Sequence, residues 1–171
     1  MKEQDRTEPP YVADERAVLT GFLDFHRDTL EWKCTGLTPE QLRERAVPPS
    51  SLSLLGIVRH MADVERGWFR RGVAGEKDAG PIHYSDDDPD GDFDRVDDAT
   101  QADVDEALAT WRAEVRRARE IVAAASLDDT FAGREDQISV RWVLVHMIEE
   151  YARHNGHADL LRERLDGATG E

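Results

Sequence analysis

The stretch HMIEEYARHNGHADLL, residues 146–161, carries three histidines and two glutamates on what reads as a single helix. Glu150 and His154 stand four residues apart. Side chains so spaced share one helix face, with Cβ atoms about 6 Å from one another, close enough to meet at one ligand. The three-four rhythm of this helix runs through Val140, Val143, Met147, Glu150, His154, His157 or Ala158, and Leu161. Its first half is apolar. A carboxylate and an imidazole then take positions that the rhythm assigns to the core, and His146, four residues before Glu150, reaches the same face. His60 interrupts a second apolar stripe, Ile57, His60, Met61, Val64 and Trp68, in the same way.

A carboxylate buried without a partner costs several kcal/mol or must take up a proton. Burial of Glu150 beside His60 and His154 is reasonable if a divalent cation lies between the two helices. Three protein ligands and one open position is the usual arrangement of catalytic zinc, and helix-bundle cores hold metals with carboxylates and imidazoles from facing helices. The plainer alternatives stay open on spacing alone. An E-x-x-x-H pair also forms solvated salt bridges, and a single inward histidine is usually a hydrogen-bonded core residue, the reading that suits His26 best.

Four long helical patterns must position these residues. The first runs from about Asp14 to Lys33, with Val18, Phe22, Phe25 or His26, and Thr29 or Leu30 recurring along one side. A short piece, PEQLRER, follows the Thr38–Pro39 start signal. The second long helix starts at a Ser51 or Ser53 cap and runs to about Arg71. Residues 73–99 carry a dense run of Asp and read as a long acidic loop. The third helix runs from about Gln101 to Ala125, with Val104, Leu108, Trp111, Val115 and Val122 on one side. The fourth runs from Ser139 to about Leu165, before Gly167. No strand pattern competes. The expected fold is all-α: an antiparallel four-helix bundle over residues 13–171, preceded by a polar tail over residues 1–12.

Composition narrows the partners. The formal net charge of −15 would repel nucleic acid and anionic membrane rather than neutralise them. No run approaches the roughly 18 apolar residues of a membrane span, and MKEQDRTEPP is too polar for a secretory signal. A lone Cys34 forms no internal disulfide. The expectation is a cytoplasmic protein, monomer or homodimer.

Other groups carry weaker signals. DDDPDGDFDRVD, residues 86–97, places acidic residues at calcium-loop positions, but Asp97 stands where such loops have Glu, and Pro89 lies inside it. A solvated acidic loop is the expected reading. Cys34 has no base beside it in sequence. Trp32, Trp68 and Trp111 suit a core or a pocket wall. Arg59, Arg66 and Arg153 flank the candidate ligands and suit either a substrate carboxylate or surface ion pairs.

SSLSLLGIVRHMADVERGWF (51–70) together with SVRWVLVHMIEEYARHNGHADLLRERLDGATGE (139–171) resembles the DinB/YfiT-like superfamily of metalloenzymes, and more closely its actinobacterial branch. The resemblance implies a four-helix bundle. It implies a divalent metal, zinc or nickel, held by one residue on the second long helix and two residues four apart on the fourth, which fall on His60, Glu150 and His154. That His, Glu, His set is similar to the one in mycothiol-dependent maleylpyruvate isomerase, whose additional C-terminal domain has no counterpart in these 171 residues. Isomerisation is therefore not the expected reaction. The resemblance implies a thiol-dependent S-transferase, in which the metal activates a small thiol such as mycothiol for attack on an electrophile. Metal-dependent hydrolysis and a non-catalytic metal-binding bundle are the alternatives. His146 and His157 do not match the ligand positions and are expected to flank the site.

Overall fold

In the computed structural model, which describes residues 6–133 and 135–170, the chain is mostly helical. Local chemistry sets the helix starts. α1 (Glu15–Cys34) begins where the Asp14 side chain accepts from the Ala17 N–H. α2 (Pro39–Arg43) opens with a reciprocal capping box between Thr38 and Gln41. α3 (Leu54–Glu65) starts at Ser53 and continues into a π-helical stretch, Arg66–Val73. After a long connection holding the one-turn α4 (Gly91–Asp94), a second capping box between Thr100 and Asp103 starts α5 (Gln101–Ala124). α6 (Val140–Asp166) runs from its Ser139 cap to Gly167, whose left-handed φ of 75° ends it.

α1 packs chiefly on α6, and α3 chiefly on α5, with α3 also meeting α6. Leu23, Leu30, Leu54, Leu55, Ile57, Met61, Phe69, Trp111, Leu144, Met147 and Tyr151 are among the fully enclosed side chains. No described helix is long and apolar enough to cross a membrane.

The structure departs from the sequence expectation in several places. Two short strands, β1 (Thr130–Ala132) and β2 (Gln137–Ser139), form an antiparallel hairpin before α6. Three residues per strand are too few to display an alternating pattern in sequence. The hairpin packs Phe131 onto Gly72, where a Cβ would lie 2.9 Å from the ring. The buried face of α1 is Leu23, Arg27, Leu30 and Cys34, and Phe22 is exposed. On α5, Ala107 rather than Leu108 is enclosed. On the α3 extension Phe69 rather than Trp68 takes the core position. There the Ala74 N–H bonds the Phe69 carbonyl at 2.8 Å, the i→i+5 pattern of a π-helix, and each wider turn delays the return to the core face by one residue. On α6 the core position between Met147 and His154 belongs to Tyr151, and Glu150 stands at its edge.

Tyr151 is claimed by a buried polar chain. The Trp111 indole N–H donates to the Tyr151 hydroxyl at 2.8 Å, and that hydroxyl donates to Glu65 Oε1 at 2.7 Å. Arg27 donates through Nε and Nη2 to the two Glu65 oxygens, both at 2.8 Å. One chain of hydrogen bonds thus joins α5, α6, α3 and α1. Burial lowers the Arg27 pKa, and the facing Glu65 carboxylate more than reverses this, so the guanidinium stays charged. Arg27→Met would strand a buried carboxylate. We expect urea unfolding to show a loss of about 3–5 kcal/mol. The double variant Arg27→Met/Glu65→Leu should lose less than Arg27→Met alone, because no charge is left unpaired. An equal or larger loss in the double variant would count against this account.

Candidate metal centre

His60 projects from α3, and Glu150 and His154 from α6. The structure brings one ligand atom of each within 4.8 Å of the others. The His60 and His154 ring centroids are 4.8 Å apart, and His154 Nε2 faces Glu150 Oε2 at 3.8 Å. That separation is too long for a hydrogen bond and short enough for one cation to serve both atoms.

The two imidazoles are prepared differently. His60 Nδ1 lies 2.8 Å from Asp92 Oδ2, on α4. A carboxylate only accepts, so Nδ1 carries a proton, which leaves Nε2 as the nitrogen that can ligate. Histidines that hold metals are oriented by carboxylates in this way. Asp92 is itself buried, and the His60 ring stacks on Phe93 with centroids 4.9 Å apart. His154 is only 8% exposed, and its Nδ1 is buried without a hydrogen-bond partner among the described residues. Burial, then the proximity of His60, His157 and Arg153, pushes its pKa down to about 4. The ring is therefore neutral at pH 7 with one nitrogen lone pair unspent, the form in which imidazole ligates a metal. A divalent cation fits this donor set.

The surroundings modulate Glu150. His146 Nε2 is 3.5 Å from Glu150 Oε1, and Arg153 Nη1 is 3.8 Å from Glu150 Oε2. Arg153 also contacts Glu149. The His146 ring stacks on Trp142 and meets Trp68 edge-on, and burial lowers its pKa. With Glu149 and Glu150, His146 forms a second, more exposed group within the same 4.8 Å limit, all three members on one helix. His157 packs edge-on against His154 with centroids 5.3 Å apart.

The remaining candidates lie elsewhere. His26 sits against Asn155, whose side-chain N–H donates to the His26 carbonyl at 3.0 Å. The acidic residues of 86–97 form no cation-binding group among the described residues. Asp92 turns to His60, and Asp88 pairs with Arg95. Cys34 is buried, and burial pushes its thiol up to about 12, so it supplies no thiolate. Arg66 pairs with Glu114 at 2.6 Å, and Arg59 contacts the Arg95 carbonyl. Trp32 lies under Arg6 and Lys33, and Trp111 in the core. Asp92 was hidden in the sequence. It is one acidic residue in a run of many, 32 positions from its partner.

A cleft of about 1160 Å³ opens beside His60, between α3 with its π-helical extension, the α4 segment and the hairpin. Trp68, Phe93, Phe131 and Ile138 are among its apolar walls. Fold and site together describe a mostly helical protein whose helices converge a His, Glu, His group, one member of which, His60, lines a cleft. The family model for mycothiol-S-transferase matches residues 18–167, and the chain belongs to that family, which lies within the DinB/YfiT-like superfamily. No curated protein and no solved structure matches the chain.

The His154 environment has a consequence for stability without metal. An unfolded histidine titrates near 6.5 and the folded one near 4, so protons favour the unfolded chain between these values. The stability this neutral ring contributes is fully present above about pH 6.5 and is lost as pH falls toward 4. In chelator, we expect unfolding free energy to drop between pH 7 and pH 5 by about 1–2 kcal/mol more in the native sequence than in His154→Gln. Equal pH dependence in the two would contradict the buried, neutral assignment.

Proposed function

We propose that the chain is a divalent-metal-dependent mycothiol S-transferase, with His60, Glu150 and His154 as the metal ligands and zinc or nickel as the metal. The observation that carries this is the convergence of three donors: Glu150, the buried neutral ring of His154, and a His60 ring oriented by Asp92. The family membership supplies the thiol and the transfer. We read the four long helical segments as a four-helix bundle spanning one domain over residues 13–171, working in the cytoplasm.

A divalent cation at this position supplies Lewis acidity, which lowers the pKa of a thiol or a water so that a nucleophile exists at neutral pH. The protein's residues do the rest. Asp92 holds the proton on His60 Nδ1 and turns the Nε2 lone pair toward the centre. Burial keeps His154 neutral. Glu150 contributes the one negative charge of the set, moderated by Arg153 and His146. Phe93 and Trp68 line the cleft on the His60 side and offer the thiol an apolar wall. The sulfur forms a bond to an electrophilic carbon, the leaving group departs with its bonding electrons, and the thiol proton passes to solvent at the cleft mouth.

Protein purified without a His tag should carry about one equivalent of metal by mass spectrometry, and His154→Ala little. Turnover of an electrophile should require added mycothiol and fall by orders of magnitude in His154→Ala. Turnover of equal rate without any thiol would replace this reading with metal-dependent hydrolysis. No metal in either protein, and no uptake of added zinc or nickel by the folded chain, would remove its chemical basis.

Asp92 is expected to act on metal affinity through His60. In competition titrations Asp92→Asn should bind zinc about 10- to 100-fold more weakly, with the fold retained. Unchanged affinity would show that His60 is oriented by its packing alone.

A further inference from the structure

The cleft beside His60 has two ends of opposite charge. Near His60 it is bounded by Asp63, Asp90 and Asp92, and toward the end of the π-helical stretch by Arg71 and Lys77. Two of the acidic groups are spent on the protein. Asp63 accepts from the backbone N–H groups of Ile82 at 2.6 Å and His83 at 3.0 Å, and Asp92 is bound to His60. The two cations are not spent. Arg71 and Lys77 are exposed, and among the described residues neither has an ion-pair or hydrogen-bond partner.

Among the described residues Arg116 and Arg164 are also without partners, but neither lines the cleft. Other basic residues nearby are all engaged. Arg66 and Arg70 share Glu114, while Arg70 and Arg117 share Glu76. Two free cations at one end of a cleft, with carboxylates at the other, set up a field that orients an anion in one direction only. Between the two ends the wall is apolar and partly aromatic, formed by Trp68, Phe93, Phe131 and Ile138. Gly72 lets the Phe131 ring approach the π-helical backbone, since a Cβ there would lie 2.9 Å from it.

Resting on the transferase reading above, we infer that this cleft takes an electrophile with a flat apolar body and an anionic group remote from its reacting carbon. Arg71 and Lys77 hold the anion, a carboxylate, sulfonate or phosphate. The aromatic wall carries the body, and the reacting carbon is presented at His60. Positions 60 and 71 are about three helical turns apart, and the long Arg71 side chain shortens the span a ligand must bridge. The acidic end disfavours the reversed orientation.

The test is calorimetric binding of 6-phenylhexanoate and its neutral isostere 6-phenylhexanamide to the full chain, stripped of metal by chelator and again with zinc added. The variant Arg71→Ala/Lys77→Ala changes two exposed side chains outside the core. We expect the metal-free chain to bind the carboxylate about tenfold or more tightly than the amide, and the double variant to lose that preference while binding the amide unchanged. Equal binding of both probes would overturn the inference. So would carboxylate binding that appears only with zinc and ignores the double substitution, because the anion would then sit at the metal centre. The metal-free arm needs neither thiol nor turnover. An anion preference together with no mycothiol transfer by the zinc-loaded chain would therefore sink the transferase reading and leave the cleft assignment standing.

Discussion

The buried chain from Arg27 through Glu65 and Tyr151 to Trp111 is the constraint on which the rest of the structure depends. Its members come one each from α1, α3, α6 and α5. Glu65 is wholly enclosed, and a carboxylate there is tolerable only if both oxygens are occupied. Sliding any one of the four helices along its axis would break a hydrogen bond that no water replaces. Such a network therefore specifies register, whereas apolar contacts alone tolerate small shifts. The register matters to the site because Tyr151 directly follows Glu150 and precedes His154 by one turn, while Glu65 lies little more than a turn beyond His60. Holding Tyr151 on Glu65 therefore sets α6 against α3 so that the candidate ligands face each other.

Around the centre, the protein controls protonation by burial and by one well-placed carboxylate. His154 is kept neutral because it is removed from water among other cationic or potentially cationic groups. His60 is given one tautomer because Asp92 can only accept. The donor set holds a single carboxylate, Glu150, which Arg153 approaches at 3.8 Å. A divalent cation would keep net positive charge there, which favours an anionic nucleophile such as a thiolate beside it. Cys34, the protein's own thiol, is enclosed at the far end of α1 with its pKa raised, so any thiolate must come from a cosubstrate.

The π-helical extension links the core to the cleft. Its wider turns put Phe69 in the core and leave Trp68 free to face the cleft and the His146 and Trp142 rings. They also carry Arg71 to the far end of the same surface, where the hairpin closes over Gly72. π-helical turns recur at functional sites because they turn side chains away from the regular helical stripe.

Much of this was legible in the amino-acid sequence. The start signals at Asp14, Thr38 and Ser139 and the stop at Gly167 delimit helices, because caps are local chemistry within a few residues, while the structure chose Ser53 over Ser51. The polar interruptions at His60, Glu150 and His154 were visible because a 3.6-residue period exposes any residue that violates it. What periodicity misjudged was equally systematic. Arg27 and Glu65 drew no notice because each is charged, and only the partner on another helix makes their burial stable. Tyr151 displaced Glu150 from the core for the same reason. The Asp92 contact, the Phe69 and Trp68 exchange and the unspent cations at the cleft depend on which distant segments meet. Sequence determines periods and caps, which are properties of one helix. The pairing of charges across helices is a tertiary fact, because a charge is stable in the interior only where the fold brings its partner.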